Sequence, residues 1–323
     1  MAAQPSPSTL LAFGLSGTPR PLSGGRGLCY RIGDVVPRPC DDEAESQWLS
    51  QLSRALLRTS PVGYRLANPI PSLASPDIFV VDGWAASSFV PGRVSVAHFP
   101  DLFRAARLLH SDLADLVKQK PAAVTGRPFN RFDEADGVTW AEKSLADVDK
   151  VNKELLAQLQ PILDQLSGEM RPLPEESAQL KCQLIHMDLL GNVLFEEGRA
   201  PGIIDLTFYW RPALYAEAVV VFDGLTWERD IGAKLVDMYL QDGEVGKKPR
   251  EIRVQLLLRA LYWRYLTFAI DPDLEFVRIN LPLADHAGAA ILSVAWLSDD
   301  CNQEAILRGR IVAGSRHPGN SHI

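Results

Sequence analysis

At Pro91-Gly92 the hydrophobic period of the chain changes, and this change limits the architectures open to it. Before it, apolar runs are short and broken by Pro and Gly. Leu28-Cys29-Tyr30-Arg31-Ile32 and Val35-Val36 flank a Gly33-Asp34 turn, the signature of a hairpin, and Ile78-Phe79-Val80-Val81 reads as a strand closed by Asp82-Gly83. One helix interrupts this region: Asp41-Asp42-Glu43-Ala44-Glu45 opens it, Trp48, Leu49, Leu52 and Leu56 recur at helical spacing, and Thr59-Ser60-Pro61 ends it. Its early acids suit the positive end of the helix dipole.

After Pro91-Gly92 the period is helical. Leu102, Ala105, Leu109, Leu113 and Leu116 mark one face, and Trp140, Leu145, Val148, Val151, Leu155 and Leu159 another, with Pro121 and Pro161 as punctuation. Further helices are expected over Ala213 to Thr226, Ile231 to Leu240, Pro249 to Phe268 and Asp285 to Leu297. The stretch from Cys182 to Leu206 breaks the pattern with three apolar runs, CQLI, VLF and GIID. The sequence therefore predicts an α+β protein: a flexible tail over residues 1–8, a small β-rich lobe over 9–92 and a larger helical lobe over 93–323 with a β insertion.

The 323 residues are 46% hydrophobic and 23% charged, enough to bury a full core. Lys+Arg 33 against Asp+Glu 40 leaves a net charge of -7, which argues against a nucleic-acid backbone or an anionic membrane as the main partner. Cys29, Cys40, Cys182 and Cys301 form no CxxC pair, so neither a zinc knuckle nor a disulfide framework is expected. The start, MAAQPSPSTLLAFGLSG, lacks the basic and long apolar regions of a signal peptide. Ala287 to Leu297 is too short to span a bilayer, so a cytoplasmic protein is expected. No GxSxG elbow, dinucleotide fingerprint, P-loop lysine or HExxH pair supports a hydrolase, a Rossmann oxidoreductase or a metalloprotease.

The polar chemistry gathers in the β insertion. Ile185-His186-Met187-Asp188-Leu189-Leu190-Gly191-Asn192-Val193-Leu194-Phe195 sets a His, an Asp and an Asn in a tight loop between two apolar runs, and Asp205 closes Gly202-Ile203-Ile204. Carboxylates at strand ends beside an Asn amide suit phosphoryl transfer. One Asp can orient or deprotonate a hydroxyl, and an Asn with a second Asp can hold Mg²⁺ on phosphates.

HMDLLGNVLF followed by IIDLTFYW resembles the catalytic loop and metal-binding Asp of the aminoglycoside phosphotransferase and choline kinase branch of the protein-kinase-like superfamily. The segments GGRG, GDVV, DGW and IDLTFYWRPALYAEAVVV also resemble a phosphotransferase-like group common in actinobacteria, and the resemblance spans roughly Pro21 to Leu297. It implies a two-lobed protein-kinase-like fold, ATP and Mg²⁺ as cofactors, and transfer of the γ-phosphoryl group to a hydroxyl of a small molecule. By position, Asp188 would be the catalytic base beside His186, and Asn192 and Asp205 the Mg²⁺ ligands. Gly24, Gly25 and Gly27 would cover the phosphates, Arg38 would contact them, Glu45 would pair with that cation, and Val81 to Phe89 would connect the lobes and line the adenine pocket.

Two departures stand out. Asp188 to Asn192 spans four positions, one fewer than usual in the family, and Gly191 offers the flexibility to tighten the loop. No lysine occurs before Lys118, so Arg38 stands where the strand lysine is expected, and the two cations are not interchangeable at a tuned site. A catalytically inactive pseudokinase is therefore an alternative. Plainer readings also exist: His186 as a loop brace, Asp205 as a turn former, Glu45 as a dipole charge, Arg38 as a strand-end cation and Ser23 to Gly27 as a simple turn. Asp133, Glu134 and Asp136 are either a solvated face or a recognition patch for a cationic acceptor.

Overall fold

The computed structural model describes residues 4–22, 28–174, 177, 180–228, 232–241 and 247–298. The chain divides into two compact units, Met1–Glu134 with Pro174–Asp223, and Ala135–Leu173 with Gly224–Ile323.

The first unit opens with α1 (Pro7–Ala12), where the Ser6 hydroxyl accepts from Thr9 N at 3.1 Å. Ser6 to Ser8 fall within the expected tail but form the cap and first turn, since Pro at the helix start and a serine cap favour initiation. β1 (Arg20–Pro21) pairs with β2 (Tyr30–Arg31), and β3 (Val35–Pro39) follows the predicted turn, with Gly33 at φ 58°. α2 (Glu43–Arg58) begins where Asp42 Oδ1 accepts from Glu45 N at 2.7 Å. β4 (Arg65–Leu66), β5 (Pro69–Ile70), β6 (Val80–Val81) and β7 (Trp84–Ser88) complete this region.

β7 lies between β3 and β5, all antiparallel, and β6 pairs with β7 as a hairpin. Val81 to Phe89, expected as a connection, is thus mostly sheet. The reason is burial, since Trp84 and Ala86 point into a core with Phe13 and Tyr30 while Ala85 is buried on the other face of β7. The Tyr30 and Trp84 rings are 6.1 Å apart.

Four helices, α3 (Phe99–Leu116), α4 (Ala122–Thr125), α5 (Arg131–Thr139) and α6 (Lys153–Glu169), precede the β insertion. That insertion contains β8 (Cys182–His186), β9 (Val193–Leu194), β10 (Gly202–Ile203) and β11 (Phe208–Pro212). Helices α7 (Ala213–Trp227), α8 (Gly232–Gln241), α9 (Lys247–Ala269) and α10 (Leu274–Ser298) follow. Leu102, Ala105, Leu109 and Leu113 of α3 are buried as predicted, Leu116 at its C-terminal end is exposed, and α3 packs on β8.

β11 runs antiparallel to β8, with Phe208 opposite His186 and Pro212 opposite Cys182. β10 pairs antiparallel with β9 and parallel with β4, joining the insertion to the N-terminal part of the same unit. The chain after β7 crosses this hairpin through an Arg93–Phe195 bridge. Gly92 makes the crossing at φ 140°, where a Cβ would stand 2.9 Å from Leu194 Cβ.

In the second unit α9 packs against α6, α8 and α10. Leu256, Leu257, Leu258, Ala260 and Leu261 bury consecutive faces of α9. The helical face expected across Trp140 to Leu159 is broken, because a 3₁₀ turn occupies Leu145–Asp147 and Val151 bridges to Ile270. α6 starts only at Lys153, capped by Asn152 Oδ1 accepting from Glu154 N and Leu155 N. Pro161 lies inside α6 rather than ending it, since Leu159, Leu163 and Leu166 continue one buried stripe past it. α10 starts at Leu274, well before the expected Asp285, because Asp273 Oδ1 accepts from Glu275 N and Phe276 N at 3.1 Å each. Among the described residues no helix is long and apolar enough to cross a membrane.

Candidate active site

The site is built on the two strand pairs of the β insertion. His186 ends β8 fully buried. Its Nδ1 accepts from Thr207 N at 3.3 Å and Asp188 N at 3.4 Å, while Nε2 lies 3.3 Å from the Ile204 carbonyl, which places the proton on Nε2. Burial pushes its pKa down against the pull of the Asp188 and Asp205 carboxylates, so the ring is neutral. His186 therefore braces two loops, residues 186–188 and 204–207, with both ring nitrogens committed.

A second imidazole supports the first. His110 on α3 accepts from His186 N through Nε2 at 3.0 Å, and burial together with His186 pushes its pKa down to about 3. Phe208, opposite His186 in the ladder, stands edge-on to both His186 and Trp48, each at 6.2 Å between ring centres.

Asp188 follows at the surface. Asn192 Nδ2 donates to its carbonyl at 2.7 Å and to its carboxylate Oδ2 at 3.1 Å. Gly191 adopts φ 88°, a left-handed conformation that lets the four-position loop close on itself. Ile204 N donates to Asn192 O at 3.0 Å, which brings Asp205 beside the same loop. Asp205 itself sits at φ 49°, in the left-handed region a non-glycine residue seldom adopts.

The structure thus brings Asp188, Asn192 and Asp205 together around His186, and it adds Arg38. Arg38 Nη1, on β3, is 3.7 Å from Asp205 Oδ1. Both side chains are partly exposed, 34% and 54%, so the pair contributes little stability, ~1 kcal/mol at most. Glu45 is paired otherwise than expected: its carboxylate Oε1 takes Arg127 Nε at 2.8 Å and Nη2 at 2.7 Å. Arg127 also donates to Asp133 Oδ1 at 3.2 Å and to the Phe208 carbonyl at 2.6 Å. Burial opposes the Arg127 charge, but Asp133 and Glu45 more than offset it and raise its pKa. Gly24, Gly25 and Gly27 lie outside the described residues.

Sequence reasoning missed Arg127 and His110. No spacing rule marks Arg127 in its loop, whereas His110 interrupts the apolar face of α3 next to Leu109 and carries a readable signal. Asp133 and Asp136 are not a solvated acidic face, since Asp133 holds Arg127 and Asp136 is 6% exposed. Glu217, 1% exposed, accepts from Arg107 Nε and Nη2 at 2.7 Å each.

The donor set suits magnesium. With Asn192 Nδ2 committed to Asp188, Asn192 offers an amide oxygen and Asp205 an accessible carboxylate, the hard oxygens that Mg²⁺ takes. Among the described residues no three His, Cys, Asp or Glu side chains cluster as a metal cage. A metal shared with nucleotide phosphates needs no such cage, since phosphates and water fill the remaining positions.

No family model and no curated protein matches the sequence. Solved structures do match. A microcompartment-associated aminopropanol kinase aligns over 94% of this chain and 96% of its own at TM-score 0.55 and 19% identity. An AMP-bound spectinomycin phosphotransferase covers 90% and 96% at TM-score 0.51 and 11% identity. A thermostable aminoglycoside phosphotransferase mutant covers 90% and 98% at TM-score 0.51 and 15% identity. The chain has the protein-kinase-like fold shared by aminoglycoside phosphotransferases and small-molecule kinases.

Proposed function

We propose that the protein is an ATP- and Mg²⁺-dependent phosphotransferase that moves the γ-phosphoryl group to a hydroxyl of a small molecule. The observation that carries this reading is the convergence of Asp188, Asn192 and Asp205 on one pair of loops, locked by the neutral His186. The exposed Asp188 carboxylate would accept the acceptor's hydroxyl proton as the new P–O bond forms and the bond to the β-phosphate oxygen breaks, releasing ADP. Its bond from Asn192 fixes the carboxylate in one orientation, which is where positioning contributes to rate. Asn192 and Asp205 would hold Mg²⁺, which when bound offsets charge on the phosphates. Arg38, within 3.7 Å of Asp205, would place a guanidinium beside the same phosphates.

The neighbours support this reading through fold alone, as enzymes that phosphorylate small molecules. The pseudokinase alternative rests on the arginine at position 38 and on the shortened loop, and against the second ground that loop closes through Gly191 with the Asn192 amide on the Asp188 carboxylate. Calorimetric titration of ATP with and without Mg²⁺ tests the proposal. Metal-dependent binding should disappear in Asp205→Ala, and Asp188→Asn should bind Mg·ATP yet turn over none. Unchanged affinity in Asp205→Ala would sink the assignment.

A further inference from the structure

We propose that Arg127 is a positioning residue that holds α2 through Glu45 against the Phe208 carbonyl, and so sets how Arg38 faces Asp205. The inference rests on the phosphotransferase reading and deepens it.

Two short chain segments meet here. One runs from Arg38 at the end of β3, through the Asp42 cap, to Glu45 in the first turn of α2. The other runs from Asp205 to Phe208 at the start of β11. They are tied at both ends. At one end is the partly exposed Arg38–Asp205 pair at 3.7 Å. At the other, Arg127 spans from Glu45 Oε1 to Phe208 O with bonds of 2.7 and 2.6 Å. The second tie is far the stronger. Arg127's side chain is 7% exposed, its three nitrogens reach Glu45, Asp133 and Phe208, and its guanidinium lies 5.3 Å from the centre of the Tyr209 ring. Charge-assisted bonds at low exposure hold geometry better than a solvated pair does.

Arg127 follows α4, whose single turn packs between α2 and β11. Because Glu45 is committed to Arg127, Arg38 is left to Asp205, and the register between them depends on where α2 is held. An arginine donated from a distant loop thereby anchors the glutamate that was expected to pair with the strand cation.

The test measures Mg·ATP affinity by calorimetry and thermal stability on the full chain. Arg127→Met should weaken Mg·ATP binding at least about tenfold. Arg127→Lys keeps a charge beside Glu45 and Asp133 but lacks the planar fork, so it should restore part of the loss. Glu45→Gln should match Arg127→Met, and the double variant should be no weaker than either alone, because the two act as one unit. Leu10→Ala, a core truncation in α1 of the same unit, should lower the melting temperature without changing affinity, which separates positioning from general destabilisation. If wild type binds and Arg127→Met binds equally well, this inference alone falls. If Arg127→Met does not fold, equal affinity in Arg127→Lys and Glu45→Gln overturns it. If wild type binds no Mg·ATP, the phosphotransferase reading falls and this inference with it.

Discussion

Gly191 shows how a single backbone conformation shapes the site. At φ 88° it permits the turn that brings the Asn192 amide to within 3.1 Å of the Asp188 carboxylate. No atom crowds the place of a Cβ there, so the cost of substitution is conformational rather than steric. Gly191→Ala should destabilise the protein by roughly 1–2 kcal/mol. It should also lower Mg²⁺-dependent ATP turnover, measured beside the melting temperature. Full turnover with an unchanged melting point would show that the loop does not need a left-handed residue. The residues of this loop were legible in the sequence because the chemistry lies within one short run, His186 to Asn192, with Asp205 one hairpin later. Arg127 was not legible. Its partner Glu45 is 82 positions away, and nothing local distinguishes it from a solvated cation. The assignment of Glu45 to a strand cation failed for the same reason, since pairing over such a distance is decided by packing.

At the scale of elements, periodicity located the helices better than it located their ends. α3 buries the face that its spacing predicts as far as Leu113, while α6 and α10 begin at caps, Asn152 and Asp273, that lie outside the apolar stripe. β11 was hidden, because Phe208 to Pro212 runs into α7 with no turn signal between them and becomes a strand only by pairing with β8. Pro161 illustrates the opposite error, a local rule overruled by packing. It lacks the N–H that would bond the carbonyl one turn earlier, and the helix persists because the stripe around it stays buried. Its side chain is exposed, so Pro161→Ala removes no core contact. The variant should stabilise the protein by roughly 1–2 kcal/mol, the helix gain less the entropy that proline removes from the unfolded chain. Chemical denaturation measures this, and a loss of stability would mean that proline's ring itself is packed.

For the whole molecule, the buried imidazoles link folding to pH. His110 has a folded pKa of about 3 against the ordinary 6.5, held down by burial and by His186. Between these values the unfolded chain binds a proton that the folded chain refuses. The native state therefore keeps its full advantage above about pH 6.5 and loses it as pH falls toward 3. His186 is shifted in the same direction, so both add to the slope. Melting temperatures taken from pH 7 to 4 should fall more steeply for wild type than for His110→Gln, and parallel curves would show that His110 is not the group responsible. The order of the chain has another consequence, for synthesis. β4 pairs with β10, and the pairs Arg65 to Gly202 and Leu66 to Ile203 join residues made far apart in time. At the 5–20 residues per second of a ribosome, β4 emerges on the order of ten seconds before its partner. Throughout that interval the Arg65–Leu66 edge lacks its ladder partner, so this part of the fold can close only after most of the chain has been made.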